Sequence, residues 1–316
     1  MVEIYASDTL GAALLAHNND YGDTIAHPDR YTPTVSIAIP YFEAAATIDR
    51  CLRCIADAVT LAEEKNPPQW RAQIIVVDDG SSSAPARSAI PKSLSKRCEL
   101  VELSANAGRA AARNAGLAAS RHDVVLFCDA DVFVAPDAIR RHLAIHSHSR
   151  AADRTAITAG MMHFANWADP SRPATPDFRL DCIYDQAWIG CKEDLRFVGR
   201  RFRTLEETAY WRQWPSNGWL GPWTIANMVL GGFFGVDRAS AMAAGGFEAP
   251  FRPYGFVETT LIAKLLAHHH AFVIPVDGPS AVHVYVEGVA LPTAKRDELF
   301  RVAHARFFRE FLQRKL

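Results

Sequence analysis

The apolar positions of this chain fall into short blocks, each closed by a cluster of polar residues. Thr34-Val35-Ser36-Ile37-Ala38-Ile39 reads as the first strand and stops at Pro40. A helical pattern follows from Ala45 to Glu64, and Pro67-Pro68 forbids its continuation. Ala72-Gln73-Ile74-Ile75-Val76-Val77 is almost continuously apolar and β-branched, as a strand buried on both faces of a parallel sheet would be. It ends in the turn cluster Asp78-Asp79-Gly80-Ser81-Ser82-Ser83. Another helix, a short strand near Glu99–Leu103 and an Ala-rich helix over Arg109–Ala119 come next. The apolar run Val124-Val125-Leu126-Phe127 then leads into Cys128-Asp129-Ala130-Asp131.

This alternation of strands and helices predicts a doubly wound, mostly parallel α/β sheet with helices on both faces. After Arg150 the texture changes. Residues 161–224 are rich in Trp, Arg, Pro and Asp and lack clean periodicity, which suits a loop-rich binding surface. Order returns with Met228–Val236, a helix over Ala239–Ala244 and a helix over Glu258–His268. Strands over Ala271–Val276 and Ala281–Val286 and a basic amphipathic helix over Lys295–Leu316 complete the pattern. The expected organisation is an N-terminal extension (1–33, with a short helix near Thr9–His17), a catalytic domain (34–286, divided at 150) and a C-terminal helix (287–316).

Bulk properties narrow the partners. A formal net charge of −1 over 316 residues gives no electrostatic reason to expect nucleic acid. No segment approaches the ~20 uninterrupted apolar residues of a membrane span. The terminal helix reads as packed with a solvated basic face, a peripheral membrane contact being the other reading. The start lacks the basic and apolar regions of a signal peptide. Six scattered cysteines suit a reducing cytoplasm, and Cys51-x-x-Cys54, in a helical stretch, reads as buried thiols.

Candidate chemistry lies at three strand ends: Pro40-Tyr41-Phe42-Glu43, Asp78-Asp79-Gly80-Ser81 and Asp129-Ala130-Asp131. In a parallel sheet such ends converge on one crevice. Asp129 and Asp131 repel each other unless a cation or good solvation intervenes. A hard divalent metal carrying a diphosphate fits there; a solvated turn is the bland alternative. Asn106-x-Gly108 opens the Ala-rich helix and Arg113-Asn114-x-Gly116 continues it, so Arg109 and Arg113 stand one turn apart. An anion at that helix start would gain from free N–H groups and a guanidinium.

These stretches, in this order and spacing, resemble the family 2 glycosyltransferases with a GT-A fold. The matching segments are Val35–Pro40, Ile74–Ser81, Asn106–Gly116 and Phe127–Asp131. Pro222–Asn227, Gly231–Arg238 and Gly245–Phe247 resemble the segments lining the family's sugar and acceptor pocket. The resemblance implies a nucleotide-sugar donor, a UDP-sugar by default, and an acceptor whose identity stays open. It implies a metal site of Asp131 and Asp129 completed by His283, filled by Mn²⁺ or Mg²⁺. It implies donor contacts from Pro40, Tyr41 (packing on the base), Glu43, Asp78, Asp79, Arg113, Ala130 and Trp223, with Arg113 either adding charge near the diphosphate or orienting the aspartates. Where the family has a Glu-Asp pair, this chain has Gly255-Phe256-Val257-Glu258-Thr259-Thr260-Leu261. Gly255 and Leu261 favour the register in which Glu258 stands in the place of the catalytic base, with inversion at the anomeric carbon. A sugar nucleotidyltransferase would want a Gly-rich signature with a Lys after the first strand, which Pro40–Glu43 lacks. A non-catalytic nucleotide or sugar binder is the remaining alternative.

Overall fold

The computed structural model describes residues 6–17, 33–68, 70–160, 162–166, 187–189, 196–198, 226, 229, 231–251, 255–269, 271–276, 280–286 and 292–316. Its strands are β1 (Val35–Tyr41), β2 (Ala72–Asp78), β3 (Cys98–Glu102), β4 (Val124–Cys128), β5 (Val132–Val134), β6 (Ala156–Ala159), β7 (Met162–Asn166), β8 (Ala187–Ile189), β9 (Arg196–Val198), β10 (Phe233–Asp237), β11 (Phe272–Pro275) and β12 (Ala281–Tyr285). Its α-helices are α1 (Leu10–Ala16), α2 (Ala45–Lys65), α3 (Ala86–Ala89), α4 (Arg109–Ala119), α5 (Ala138–Ala151), α6 (Arg238–Ala243), α7 (Val257–His269) and α8 (Thr293–Arg306).

A seven-stranded sheet in the order β11-β6-β10-β4-β1-β2-β3 forms the centre. Pairings from β4 through β1 and β2 to β3 are parallel, and β11 runs parallel to β6. Only β10, wedged antiparallel between β4 and β6, breaks the direction. The expected mostly parallel α/β sheet is therefore observed. The two late strands, however, go to different sheets: β11 extends the central one, while β12 pairs with β5 and β7 in a sheet of three.

Period-2 alternation splits the apolar side chains into two cores. Val35, Ile37, Ile39 and Tyr41 of β1 and Val124, Leu126 and Cys128 of β4 face α2 and α5, beside Ile48, Cys51, Leu52 and Ile55. Ala38, Val125 and Phe127 face the other way, with Leu117, Phe234 and Phe247. Phe127 stacks on Phe234 at 5.2 Å and meets the edge of Phe247 at 4.9 Å. Full burial of one such ring contributes roughly 1.5–3 kcal/mol. On this side α4 lies close to the sheet, because its small residues permit it. A Cβ on Gly116 would stand 2.8 Å from the Cβ of Ala38.

The two ends of the described chain close the second core together. Thr9 caps α1 by accepting the Ala12 N–H at 3.3 Å. The Leu10 and Gly11 N–H groups donate to the carbonyls of Arg314 and Leu312, and Leu316 N–H donates to Asp8. The continuous helix expected over Lys295–Leu316 instead ends at Arg306 and widens into a π turn over Phe307–Phe311. The wide turn lets Phe307, Phe311 and Leu312 all reach the core. Phe307 stacks on Phe256 at 4.8 Å, just ahead of α7.

Helix α5 places two buried imidazoles on one hydroxyl. His142 Nδ1 lies 2.7 Å and His146 Nε2 3.2 Å from Thr158 Oγ1. Burial pushes His142 well below its ordinary value and His146 down to about 3, although Asp237 pulls His146 upward and Arg150 pushes it further down. Below the ordinary value of 6.5 the unfolded chain binds protons that the folded core refuses. Stability is thus complete above neutrality and falls as pH drops from 6.5 toward 3. Urea unfolding at pH 7 and pH 5 should differ by about 2 kcal/mol per histidine. A stability unchanged over that interval would mean that these imidazoles are not held neutral.

Candidate active site

Asp129 follows β4 directly, and its backbone is held on every side. Its N–H donates to Gly232 O at 2.9 Å, and its carbonyl accepts from Val132 N–H at 3.0 Å. The thiols of Cys51 and Cys128 approach the same carbonyl at 3.7 and 3.6 Å. Mutual hydrogen bonding and burial push the Cys51 thiol well up, so it stays protonated. His283 arrives opposite because β12 pairs antiparallel with β5 in the register His283↔Val132. Val284 N–H donates to Asp131 O at 2.9 Å and fixes the approach. His283 Nε2 lies 3.6 Å from Asp131 Oδ1. Asp129, Asp131 and His283 each offer one ligand atom, all within 4.8 Å of one another. Two carboxylates and an imidazole form a mixed O/N donor set that suits Mn²⁺ or Mg²⁺.

A fully buried guanidinium ties this cluster to α7. Arg113 Nη2 donates to Asp129 Oδ1 at 2.9 Å and to Gly231 O at 2.8 Å. Its Nη1 donates to Glu258 Oε1 at 2.7 Å. Burial alone would lower the Arg113 pKa, but the charges of Glu258 and Asp129 outweigh it and raise the group above its ordinary value. Burial would likewise raise Asp129, and the cations Arg113 and Arg109 instead hold it below the ordinary carboxylate value. Glu258 sits in the first turn of α7, where the helix dipole favours its charge. That turn follows Gly255 at φ 87° and Phe256 at φ 61°. A left-handed backbone costs a non-glycine residue about 1–3 kcal/mol, and here the Phe256–Phe307 stack offsets it.

The nucleoside-side residues have internal partners. Asp78 accepts the N–H groups of Ser81 and Ala86 at 2.9 and 2.7 Å. Asp79 accepts those of Ala107 and Gly108 at 2.7 and 2.8 Å, so the slot expected for a ligand anion just ahead of α4 already holds the chain's own carboxylate. Glu43 accepts three, from Ser82, Ser83 and Ala84, and these bonds hold it below its ordinary value. Tyr41 is buried and donates its hydroxyl to Ala84 O at 2.6 Å. Burial, with Asp78 and Glu43 nearby, pushes it up to about 12. Its ring is not presented for stacking on a base. The aromatic that is presented is its neighbour Phe42, 50% exposed, which the sequence reading passed over. Arg113 likewise lies inside, where it orients acids, while Arg109 is the exposed cation at the start of α4. Pro40 is half-buried in β1 and Ala130 is buried between the two aspartates. Trp223, like Trp219 and most of 161–224, lies outside the described residues.

These residues gather at the C-terminal ends of the parallel strands β1, β2 and β4, where open α/β sheets place their ligands. Residues 36–214 match the model of glycosyl transferase family 2, and the chain belongs to that family. It is 32% identical over 165 residues to an N-acetylglucosaminyltransferase of Mesorhizobium japonicum, covering 51% of this chain and 34% of that protein. It is 30% identical over 115 residues to an uncharacterized glycosyltransferase of Haemophilus influenzae, covering 35% of this chain and 41% of that one. The chain thus spans less than half the length of these relatives. Residues 1–349 of S. aureus TarS, solved with UDP-GlcNAc, superpose with a TM-score of 0.54 at 15% identity over 87% of this chain and 67% of that one. A further crystal structure of the same TarS fragment gives 0.52 at 14% identity, over 87% of this chain and 72% of that one. At such identity the likeness is one of fold. Among the described residues no helix is long and apolar enough to cross a membrane.

Removing the guanidinium should show how much the site's geometry depends on it. Arg113→Gln strips two carboxylates of a buried counter-charge, which costs about 3 kcal/mol or more in comparable cases. Chemical denaturation of the variant should show a loss of that size. A loss under about 1 kcal/mol, the usual worth of an exposed pair, would mean that the ion pairs carry little of the fold.

Proposed function

We propose that this chain transfers a sugar from a nucleoside-diphosphate sugar, a UDP-sugar first among them, to an acceptor nucleophile by a single inverting displacement. One observation carries the reading: a single buried cation, Arg113, holds both the Asp129–Asp131–His283 cluster and Glu258 in register. Residues 34–150 then form the nucleotide half and 151–286 the acceptor half of the catalytic unit. The UDP-GlcNAc complex of TarS and the N-acetylglucosaminyltransferase relative make UDP-GlcNAc the first donor to test.

Asp131, Asp129 and His283 would hold Mn²⁺ or Mg²⁺, which when bound neutralises the charge that gathers on the departing diphosphate. Arg109 adds a cation at the same mouth. Phe42 offers the exposed ring on which a nucleobase can lie. Asp78, Asp79 and Glu43 keep the flanking loops in shape through their backbone bonds, with further lone pairs left toward ribose and base. Glu258 Oε1 is fixed by Arg113, and Oε2 takes the acceptor proton. The acceptor's electron pair forms the new bond to the anomeric carbon as the bond to the diphosphate oxygen breaks, and the nucleoside diphosphate leaves with the electrons of that broken bond.

Release of UDP from UDP-GlcNAc in the presence of Mn²⁺ tests the whole reading. Glu258→Gln should cut that rate by ~10²–10⁴ while the affinity for UDP stays within a few-fold. Asp131→Asn should erase the part of the UDP-induced rise in melting temperature that depends on Mn²⁺. Full turnover by Glu258→Gln would remove the base assignment. A UDP shift indifferent to metal would remove the metal site. UDP binding with no release from the unaltered protein would favour a non-catalytic binder.

A further inference from the structure

Glu258 and Gly231 occupy space that a longer residue at 231 would need. A Cβ built on Gly231 would stand 1.7 Å from Glu258 Oε1, 2.3 Å from Cδ and 2.5 Å from Cγ. All three nearest atoms thus belong to the outer half of one side chain, which runs across the bare Cα of the glycine. The same glycine's carbonyl accepts from Arg113 Nη2 at 2.8 Å, while Glu258 Oε1 accepts from Nη1 at 2.7 Å. Glycine and glutamate therefore frame one guanidinium from two sides.

We propose that Gly231 is a positioning residue: its missing side chain is the channel that lets a carboxylate as long as Glu258 reach Arg113 and point into the crevice. The inference rests on the proposed role of Glu258 as base. Three observations say which partner yields when the channel is blocked. The Gly231–Gly232 turn is pinned at both ends, by Arg113 on Gly231 O and by Asp129 N–H on Gly232 O at 2.9 Å. Helix α7 is pinned too, since Lys264 Nζ donates to Gly246 O at 2.6 Å and pairs with Glu248 at 3.0 Å. The free rotations belong to Glu258 itself, whose χ angles can swing the carboxylate out of the way. A methyl at 231 thus displaces the acid and leaves both backbones in place. The extra methylene of Glu258 over the family's Asp and the bare Cα at 231 belong together as one steric fit.

The test is a double-mutant cycle of Gly231→Ala and Glu258→Ala, read by UDP release from UDP-GlcNAc with Mn²⁺ and by melting temperature. Gly231→Ala should lose ~10²-fold in kcat, the cost of a misplacement of about 1 Å, while KM for UDP-GlcNAc changes less than about 3-fold. In the Glu258→Ala background the same methyl should cost under about 3-fold in rate, and any loss of melting temperature that it causes alone should disappear. If Gly231→Ala does not fold, recovery of the fold in the double variant still supports the steric pair, and failure to recover overturns it. Wild-type kcat in Gly231→Ala, or losses that simply add, overturns the proposal. Base and channel fail separately: an inactive Glu258→Ala beside an active Gly231→Ala rejects the channel alone, whereas an active Glu258→Ala rejects the base and with it the channel.

Discussion

A cation with no exposed surface cannot be left to solvent, and Arg113 is such a cation. Removing an isolated guanidinium from water is costly unless partners with opposite charge and good geometry surround it. Here Asp129, Glu258 and the Gly231 carbonyl supply them at 2.7–2.9 Å, and the ring of Phe247 lies 5.8 Å from the guanidinium carbon. Nε alone makes no hydrogen bond. These demands join α4, the end of β4, the turn before β10 and the first turn of α7. Elements separated by up to 145 residues in sequence are thereby held around one charge.

Much of the frame was legible because a parallel sheet buries both faces of its strands. The continuous apolar run at 72–77 leaves no other place for itself. The Asp129–Asp131 pair was legible for the complementary reason that two acids after such a run must lie at its tip. Which aromatic at the end of β1 is exposed is also readable from alternation. Val35, Ile37, Ile39 and Tyr41 share one face by period-2 alternation, so the core that claims the first three claims the tyrosine and turns Phe42 outward. Other features had no local signal. Whether a carboxylate such as Asp79 serves a ligand or its own backbone depends on where a loop 28 residues away returns. The fit between Gly231 and Glu258 is likewise steric and non-local.

The two cores divide the work of building the site. The first fixes the acidic cluster: Cys51 of α2 and Cys128 of β4 lie against the Asp129 carbonyl, and β5 brings β12 with His283 alongside. The second fixes Glu258, because the aromatic ladder Phe256–Phe307–Phe311 seats the start of α7. Lys264, nearly buried, then anchors the helix to the segment after α6.

What crosses the sheet's end is the Arg113 side chain, and this gives its position a consequence for electrostatics. The guanidinium shares its charge between Asp129, at the end of β4, and Glu258, in the first turn of α7. Any cation that joined Asp129 and Asp131 would weaken the hold of Asp129 on Arg113. The guanidinium would then lean more on Glu258, since the total demand of a buried charge for counter-charge does not change. Asp129 and Glu258 are in this way coupled, because both satisfy the same buried cation.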